Sequence, residues 1–410
     1  MKKTLLFVTI GASMVLNAQL NVQTLQLTTN DLVFDQVTQK IYASIPSANG
    51  SNGNSIGIIN PRTNTLEKTV FIGSEPTVLA ISDNGQYIYS GFSASSTIRR
   101  FDVATQTAGL QFTLGFDSST GPNYAEDIEV MPGQPGTIAV SRKNNGFSPR
   151  HEGVAIYDDG VMRPTTTPDH TGSNKIEFMT STSLIGYNNE STEFGLRKMA
   201  INNGGVAVVS VTQNAFSGFY LDFFYKDNRV YGFNGAVLDV TGTPFVSGQF
   251  SNVNGPGVFD SSSSSAAFAS FDYSGNIIFK RFNPETFLLR DSLPITQTSG
   301  QVKSMITCGS GCYAFNTTDN KVVIIQDALL GISEANAKKI SIFPNPTVDF
   351  ISVKNDIKIT EVVIYDLSGR MMMKVSNAIK INLSNLKAGV YVAKVTDING
   401  NVFSEKIIKK

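Results

Sequence analysis

A group of four short strand-like segments between residues 77 and 115 is the feature that most constrains the fold. The first segment, residues 77–81, is apolar and ends at the turn Ser82-Asp83-Asn84-Gly85, where glycine readily adopts the positive φ of a tight hairpin. Segments 86–91, 97–102 and 109–114 follow, separated by short turn sequences. An antiparallel meander of about 40 residues has the size of one blade of a β-propeller.

The same four-segment rhythm recurs along the chain. The leading segments of successive units begin near residues 32, 77, 126, 176, 222, 257 and 302, which makes seven units. The seventh unit has only three segments, and a spare segment occupies residues 20–27. Because a ring of sheets has no open seam when both chain ends share one sheet, we expect residues 20–27 to form the outer strand of the last unit. The predicted fold of residues 20–328 is therefore a seven-bladed β-propeller.

The N-terminus has the three regions of a secretory signal peptide. Two lysines are followed by an apolar run over residues 5–16 and then by the small residue Ala18. The run is too short to cross a bilayer and no later run is long enough, so we expect cleavage after residues 1–18 and a mature chain without a transmembrane segment. Basic and acidic residues both number 33, and this balance argues against nucleic acid as a partner.

Part of the first two units resembles a known repeat. The stretches 69–76 (TVFIGSEP), 80–85 (AISDNG) and 87–89 (YIY) are similar to the YVTN-type β-propeller repeat of bacterial surface and secreted proteins. The chain contains no tryptophan, which argues against WD-type and quinoprotein propellers. The resemblance implies the propeller fold and an extracellular setting, and it implies no particular activity.

The composition changes after Leu330. Residues 329–339 are a short polar linker, and residues 340–410 contain about seven short strand-like segments, enough for a small Ig-like β-sandwich. Alternating apolar and polar residues at 390–395 fit a half-buried strand. The predicted fold class is thus all-β, a propeller followed by a small sandwich.

The C-terminal module resembles, over its whole length, the type A C-terminal sorting domain of proteins exported by the type IX secretion system of Bacteroidetes. The matching residues are Pro344, Asn345, Pro346, Tyr365, Asp366, Gly369, Arg370, Gly389, Tyr391 and Lys406. The resemblance implies that residues 340–410 are read by the outer-membrane translocon after passage through the periplasm, and that they are cut off near the linker. It places the protein outside the cell or on the outer-membrane surface. The alternative is an ordinary Ig-like binding domain, in which the same glycines and prolines serve the turns.

The apparent linear motifs for catalysis or metal binding lack the structural context or the ligands that the chemistry needs. Residues 53–57 match the pattern of a hydrolase nucleophile elbow, but they lie in a hairpin rather than at a strand-to-helix turn. His151 and His170 are the only histidines, too few for an ordinary zinc site. Residues 397–401 faintly resemble a calcium loop but lack its distant acidic ligand, and they are predicted to form a hairpin turn. We therefore predict no metal and no cofactor.

Carboxylates lead the third unit. In a strand, Asp127 and Glu129 share one face while Glu126 points to the other. Paired carboxylates of this kind perform acid/base chemistry or hold a cation in a channel. A solvated strand edge is the other interpretation.

A second group of candidate ligand-binding residues flanks a polar insertion at 143–149. Loops on one face of a propeller commonly carry recognition, and polar groups beside tyrosines suit a polar or sugar-like ligand. Ordinary loop polarity is the competing interpretation. The candidate residues are Arg142, Arg150, His151 and, in the turn region of the next unit, Glu190.

Cys308 and Cys312 flank a Gly-Ser-Gly sequence between two strands of the last unit. In an exported protein with two cysteines, this proximity favours a disulfide across the hairpin. Two buried thiols, or redox or metal chemistry, are the alternatives.

The leading hypothesis is a non-catalytic extracellular binding or scaffold protein, because an intact propeller pattern carries no convergent catalytic set. Its ligand is not specified by the sequence. The main alternative is an extracellular propeller hydrolase or lyase acting on a polysaccharide, peptide or lactone, since residues from different blades leave no linear motif. A purely structural surface-layer component is a third hypothesis.

Overall fold

The computed structural model describes residues 20–327, 341–354, 359–366, 370–376, 379–398 and 402–410. The chain divides into two compact units, with the boundary after Gly331. Strands dominate both units, and the prediction of an all-β fold is confirmed. The expected signal peptide and the linker at 329–339 lie outside the described residues. None of the described helices is long and apolar enough to span a bilayer.

The N-terminal unit contains thirty strands and one short 3-10 helix, Ser47–Asn52, within its described residues. In chain order the strands are β1 (Leu20–Gln26), β2 (Leu32–Asp35), β3 (Lys40–Ile45), β4 (Ser55–Asn60), β5 (Thr65–Phe71), β6 (Pro76–Ile81), β7 (Tyr87–Phe92), β8 (Thr97–Asp102), β9 (Thr107–Thr113), β10 (Phe116–Asp117), β11 (Gly121–Pro122), β12 (Tyr124–Val130), β13 (Thr137–Lys143), β14 (His151–Asp158), β15 (Val161–Met162), β16 (Lys175–Thr180), β17 (Ser183–Tyr187), β18 (Leu196–Asn202), β19 (Gly205–Thr212), β20 (Phe223–Lys226), β21 (Arg229–Gly232), β22 (Ala236–Asp239), β23 (Phe245–Gln249), β24 (Gly257–Asp260), β25 (Ser265–Phe271), β26 (Ile277–Phe282), β27 (Leu289–Ile295), β28 (Val302–Thr307), β29 (Cys312–Thr317) and β30 (Lys321–Asp327).

These strands form seven four-stranded antiparallel sheets in the described part of the unit, together with the small hairpin β10–β11. Six sheets follow chain order, from β2–β5 through β24–β27, and the seventh has the order β1-β30-β29-β28. Strand β1 pairs with β30 along its whole length, with Leu20 opposite Asp327 and Gln26 opposite Lys321. The first described strand therefore completes the sheet made by the last three strands of the unit.

The first strands of the sheets surround a central channel. Strand β2 contacts β6, and the contacts continue through β12, β16, β20, β24 and β28 back to β2. Apolar side chains on the faces of each sheet fill the space between neighbouring sheets, as where Tyr42 of the first sheet meets Phe101 of the second with ring centroids 6.0 Å apart. This packing holds the inner strands in a ring around the channel.

The turn at residues 82–85 shows how the sequence sets a sheet. The Ser82 hydroxyl oxygen accepts hydrogen bonds from the backbone N–H groups of Gln86 and Tyr87, at 3.0 and 2.9 Å. Gly85 has φ +67°, and a Cβ there would lie 2.2 Å from a carboxylate oxygen of Asp35. Only glycine combines this backbone angle with the close approach of the preceding sheet.

The C-terminal unit has two sheets in its described residues. The strands are β31 (Ser341–Phe343), β32 (Phe350–Lys354), β33 (Ile359–Asp366), β34 (Met371–Ser376), β35 (Lys380–Asn382), β36 (Gly389–Asp397) and β37 (Val402–Lys409). One sheet has the strand order β31-β32-β35 and the other β34-β33-β36-β37. Apolar side chains from both sheets form a single core, which includes Ile351, Val362 and Ile364.

Several residues singled out in the C-terminal sequence make structural contacts. The Asn345 amide donates to the Lys406 carbonyl at 2.6 Å and accepts from the Ile408 N–H at 2.9 Å, which ties the Pro-Asn-Pro segment to the last strand. Asp366 accepts from the backbone N–H of Arg370 at 3.0 Å. Gly369 lies outside the described residues.

Candidate functional site

Charged side chains from the inner strands line a cavity of about 540 Å³ in the channel of the N-terminal unit. We call this group the channel cluster. It contains five carboxylates and two ammonium groups, those of Asp31, Asp127, Glu129, Lys175, Glu177, Asp222 and Lys303.

The strand period places these charges in the channel. In β12, Asp127 and Glu129 lie two residues apart on the channel face, and Ile128 between them is buried against the neighbouring sheet. Strand β16 repeats the arrangement with Lys175 and Glu177 on either side of a buried isoleucine. Alternation of charged and apolar residues therefore places charged side chains in the channel and apolar side chains in the cores between the sheets.

Two aspartates of the channel cluster also join neighbouring inner strands. Asp31 accepts a hydrogen bond from the Leu79 N–H of the next sheet at 2.9 Å. Lys175 lies 3.3 Å from a carboxylate oxygen of Asp222. These contacts hold the charged groups in fixed positions around the cavity.

Protein surrounds the carboxylates of the cluster, and this changes their proton affinity. Burial raises the pKa of Asp127 to about 7, with Lys175 opposing the shift and Asp222 adding to it. Burial and the neighbouring carboxylates raise the pKa values of Glu129 and Glu177 well above the usual range. These two glutamates keep a proton at pH values where a surface glutamate is ionised.

The two lysines behave differently. Burial opposes the charge on Lys175, but Asp222 and Asp127 outweigh it and raise the Lys175 pKa well above its usual value. Burial lowers the pKa of Lys303, whose ammonium group donates to the Thr29 carbonyl. In the described part of the chain, no three His, Cys, Asp or Glu side chains converge where a metal ion would bind. The cluster therefore combines hydrogen-bond donors and acceptors around one cavity.

A second cavity, of about 460 Å³, lies beside the third sheet. We call it the Arg142 pocket. Its lining residues come from the β10–β11 hairpin, the facing ends of β13 and β14, and the segment that leads to the fourth sheet; they are Phe116, Asp117, Asn123, Arg142, Glu152, Thr166, Thr167, Pro168 and Asp169.

A β-bulge shapes this pocket. Ser141 pairs with Val154 and Lys143 with His151, so Arg142 faces two residues of β14, Glu152 and Gly153. Gly153 has φ +78°, and a Cβ there would lie 2.4 Å from the Thr167 carbonyl oxygen. The glycine permits the bulge, and the bulge redirects the side chains on both sides of it.

Arg150 and Glu190, two of the sequence candidates, contact each other. The Arg150 Nε donates to Glu190 Oε1 at 2.8 Å, which links the 144–150 loop to the fourth sheet. Lys143 forms an ion pair with Glu126 at 2.5 Å. Each of these charged groups is neutralised by a partner within the protein, so its attraction for a charged ligand is reduced.

His151, another candidate, lies in the interior with 1% of its surface exposed. Neither ring nitrogen has a hydrogen-bond partner among the described residues. Burial, together with Arg197 and Arg142, lowers the pKa of His151 to about 3, so the imidazole is neutral at physiological pH. A Cβ at Gly172 would lie 2.1 Å from the ring, which shows how closely the backbone covers it.

The structure thus places Asp127 and Glu129 in the channel and Arg142 in the neighbouring pocket. Sequence reasoning missed the partners that complete both sites, because contacts between sheets and the bulge between β13 and β14 bring them together. A signal was present, since the channel residues lie in or next to the leading strands of five units. The residues missed are Asp31, Asn123, Glu152, Lys175, Glu177, Asp222 and Lys303.

Residues 341–410 match the family described as the secretion system C-terminal sorting domain. A tail of this family implies export by the type IX secretion system, to the cell surface or the extracellular space.

The N-terminal unit is similar to solved propeller structures. The β-propeller domain of Cps50 (Swd1) from Myceliophteria thermophila has a TM-score of 0.56 and 11% identity, covering 75% of this chain and 99% of that one. Hydrazine synthase of Kuenenia stuttgartiensis has a TM-score of 0.55 and 14% identity, covering 74% of this chain and 96% of that one. The fold of the N-terminal unit is a β-propeller.

A relative from Formosa agariphila, named an endo-acting ulvan lyase, is 31% identical over 105 residues. The alignment covers 24% of this chain, and the chain spans 20% of the relative's length. The similarity is confined to a minor part of both proteins.

Proposed function

We propose that this protein is a seven-bladed propeller of the YVTN type that binds a polar extracellular ligand where its channel opens, without catalysing a reaction. The observation that carries the proposal is the channel cluster, in which carboxylates and ammonium groups from different sheets line one cavity. Pockets with a few convergent polar groups are the usual binding sites of such folds.

The loops around the channel support a broad binding face. Strand β12 begins opposite the end of β13, so the start of this inner strand and the 144–150 loop lie at the same end of the sheet. The fourth sheet repeats the geometry, with Lys175 at the start of β16 opposite Tyr187 at the end of β17. Ligands reaching the channel pass these loops first.

Export follows the route of the sorting-domain family. We infer that residues 340–410 of a Bacteroidetes protein are read by the outer-membrane translocon after passage through the periplasm and are removed near the linker. The mature propeller is then displayed on the outer membrane or released. In cells that express the chain with and without residues 340–410, we expect the truncated protein to remain in the periplasmic fraction. Normal secretion of the truncated protein would contradict the route.

Binding is tested by passing the purified protein over immobilised polysaccharides and peptides and incubating it with lactones. We expect retention on one class, weakened in Lys175→Gln, and recovery of the ligand at unchanged mass. The matched control is Lys68→Gln, because Lys68 is an exposed lysine on the outer strand β5 and donates to Gln106 in a turn of the next sheet. Retention that is equal in both variants would place the ligand outside the channel.

A hydrolase or lyase is the second candidate function, and one observation favours it. Asp127, with a pKa raised to about 7 by burial, is able to take and return a proton near neutral pH. The name of the Formosa agariphila relative makes polysaccharides a reasonable substrate class to assay. Product formation that disappears in Asp127→Asn would establish catalysis and overturn the binding proposal.

A further inference from the structure

We propose that the Arg142 pocket binds a neutral sugar residue, through hydrogen bonds to two adjacent hydroxyl groups and through packing of the sugar ring on Phe116. The inference rests on the proposed binding function and names a ligand class for a second cavity of the propeller.

Arg142 provides the first argument. Only 9% of its surface is exposed, yet within the described part of the chain no carboxylate lies within ion-pair distance of its guanidinium. Its hydrogen bonds there are a long one from Nε to the Gly153 carbonyl, 3.4 Å, and a contact of Nη1 with the Met162 sulfur at 3.8 Å, and the guanidinium also lies near the Tyr157 hydroxyl. A guanidinium has five N–H donors, so these contacts leave donors for a ligand in the pocket.

Acceptors lie beside these donors. Glu152 is 7% exposed, and its Oε1 accepts from the Asn144 amide at 2.8 Å. Its Oε2 makes no hydrogen bond within the described residues, and neither does Oδ1 of the buried Asn123. The pocket therefore presents unused donors and unused acceptors together, held rigidly by the bulge and by burial.

A hydroxyl group both donates and accepts, which is what this combination requires. Two adjacent sugar hydroxyls can accept from Arg142 and donate to Glu152 simultaneously. An anion would satisfy Arg142 but would face the carboxylates of Glu152, Asp117 and Asp169 in the same lining. A cation would be repelled by the guanidinium and would leave its N–H donors without an acceptor. The mixed charge of the pocket favours a neutral polyhydroxyl ligand.

Phe116 supplies an apolar surface at the rim. The ring is 70% exposed although it sits on the short β10–β11 hairpin, which is fixed by hydrogen bonds from the Ser119 and Thr120 N–H groups to Asp117, at 2.7 and 3.1 Å. An exposed aromatic ring on a fixed hairpin can pack against the C–H face of a sugar. The cavity of about 460 Å³ is of the size that holds a small ligand.

The test uses the purified full chain on an array of neutral, uronate-containing and sulfated oligosaccharides, followed by calorimetric titration with the best binder. We expect a neutral oligosaccharide to bind, and we expect Phe116→Ala and Glu152→Gln each to weaken it by about tenfold. The matched control is Tyr273→Ala, because Tyr273 is a fully exposed aromatic residue in a loop of another sheet. Unchanged melting temperatures will show that the variants fold.

Several results would overturn the inference. Binding that is indifferent to both Phe116→Ala and Glu152→Gln would do so, as would a preference for uronate or sulfated chains. Loss of saccharide binding in Lys175→Gln alone would overturn the pocket and leave the channel proposal intact. If saccharide binding is weakened by Phe116→Ala and Glu152→Gln but not by Lys175→Gln, the pocket is supported and the channel does not recognise that ligand.

Discussion

The carboxylate of Asp127 accepts a hydrogen bond from the backbone N–H of Ile176, 2.9 Å away on the next sheet. Two sheets earlier in the ring, Asp31 makes the same contact with the backbone N–H of Leu79. A side chain that faces the channel therefore also satisfies a backbone donor of the neighbouring inner strand.

Asp127→Ala is expected to lower the free energy of unfolding by about 1–3 kcal/mol at pH 5, because it leaves the buried Ile176 N–H without an acceptor. Asp127→Asn keeps an oxygen in place and should cost less. Denaturant unfolding of both variants measures the difference. Asp169→Ala, which removes an exposed aspartate, should be neutral; equal stability of Asp127→Ala and wild type would show that the contact contributes nothing.

Glu129→Gln is expected to raise the melting temperature at pH 8 and to have less effect at pH 5. Burial and neighbouring carboxylates hold the pKa of Glu129 above its unfolded value, so the folded state binds a proton that the unfolded state has lost. Stability contributed by this group therefore falls as the pH rises above the unfolded pKa, and glutamine removes the loss.

Glu67→Gln is the matched control with the opposite sign. The hydrogen bond from Lys40 lowers the pKa of Glu67, so its contribution is present at both pH 5 and pH 8, where Glu67→Gln should lower the melting temperature, and it is lost only below the unfolded pKa. Thermal melts at both pH values compare the two variants. If Glu129→Gln has the same effect at pH 5 and pH 8, the channel glutamate is ionised like a surface residue.

Local sequence predicted the elements well and their spatial neighbours poorly. The segment predicted at 97–102 is strand β8, Thr97–Asp102, and alternation correctly indicated that Asp127 and Glu129 share a face. The bulge that redirects Arg142 depends on Gly153, eleven residues away on the partner strand, and no local pattern shows how the two strands are aligned. The burial of His151 within a polar stretch is also set by distant backbone.

Cys308 and Cys312 form a disulfide, and both are buried. They lie four residues apart, so the bridge closes a small loop and removes little entropy from the unfolded chain. The double variant Cys308→Ala/Cys312→Ala should lose about 2 kcal/mol of stability, within the lower part of the range for disulfides. A thiol titration of the denatured, unreduced protein should find no reactive thiols in wild type, and two would contradict the bridge.

Deletion of residues 20–27 is expected to expose the edge of β30, because β1 covers that edge over seven residue pairs. Leu20 and Val22 of β1 also pack on the apolar core between the sixth and seventh sheets. An uncovered strand edge pairs with other chains, so the shortened protein should associate and melt at a lower temperature. Light scattering after size-exclusion chromatography and thermal melts measure both effects.

A synthetic peptide of residues 19–28 should bind the shortened protein and restore a monomer, because its backbone can rebuild the β1–β30 ladder and its Leu20 and Val22 can refill the same core. A scrambled peptide of equal composition separates this pairing from nonspecific apolar contact, since scrambling moves the buried side chains to the solvent face. The shortened protein could instead stay monomeric and melt as wild type does. That result would contradict the prediction, because it would show that pairing with β1 is not needed to protect the edge of β30 or to stabilise the seventh sheet.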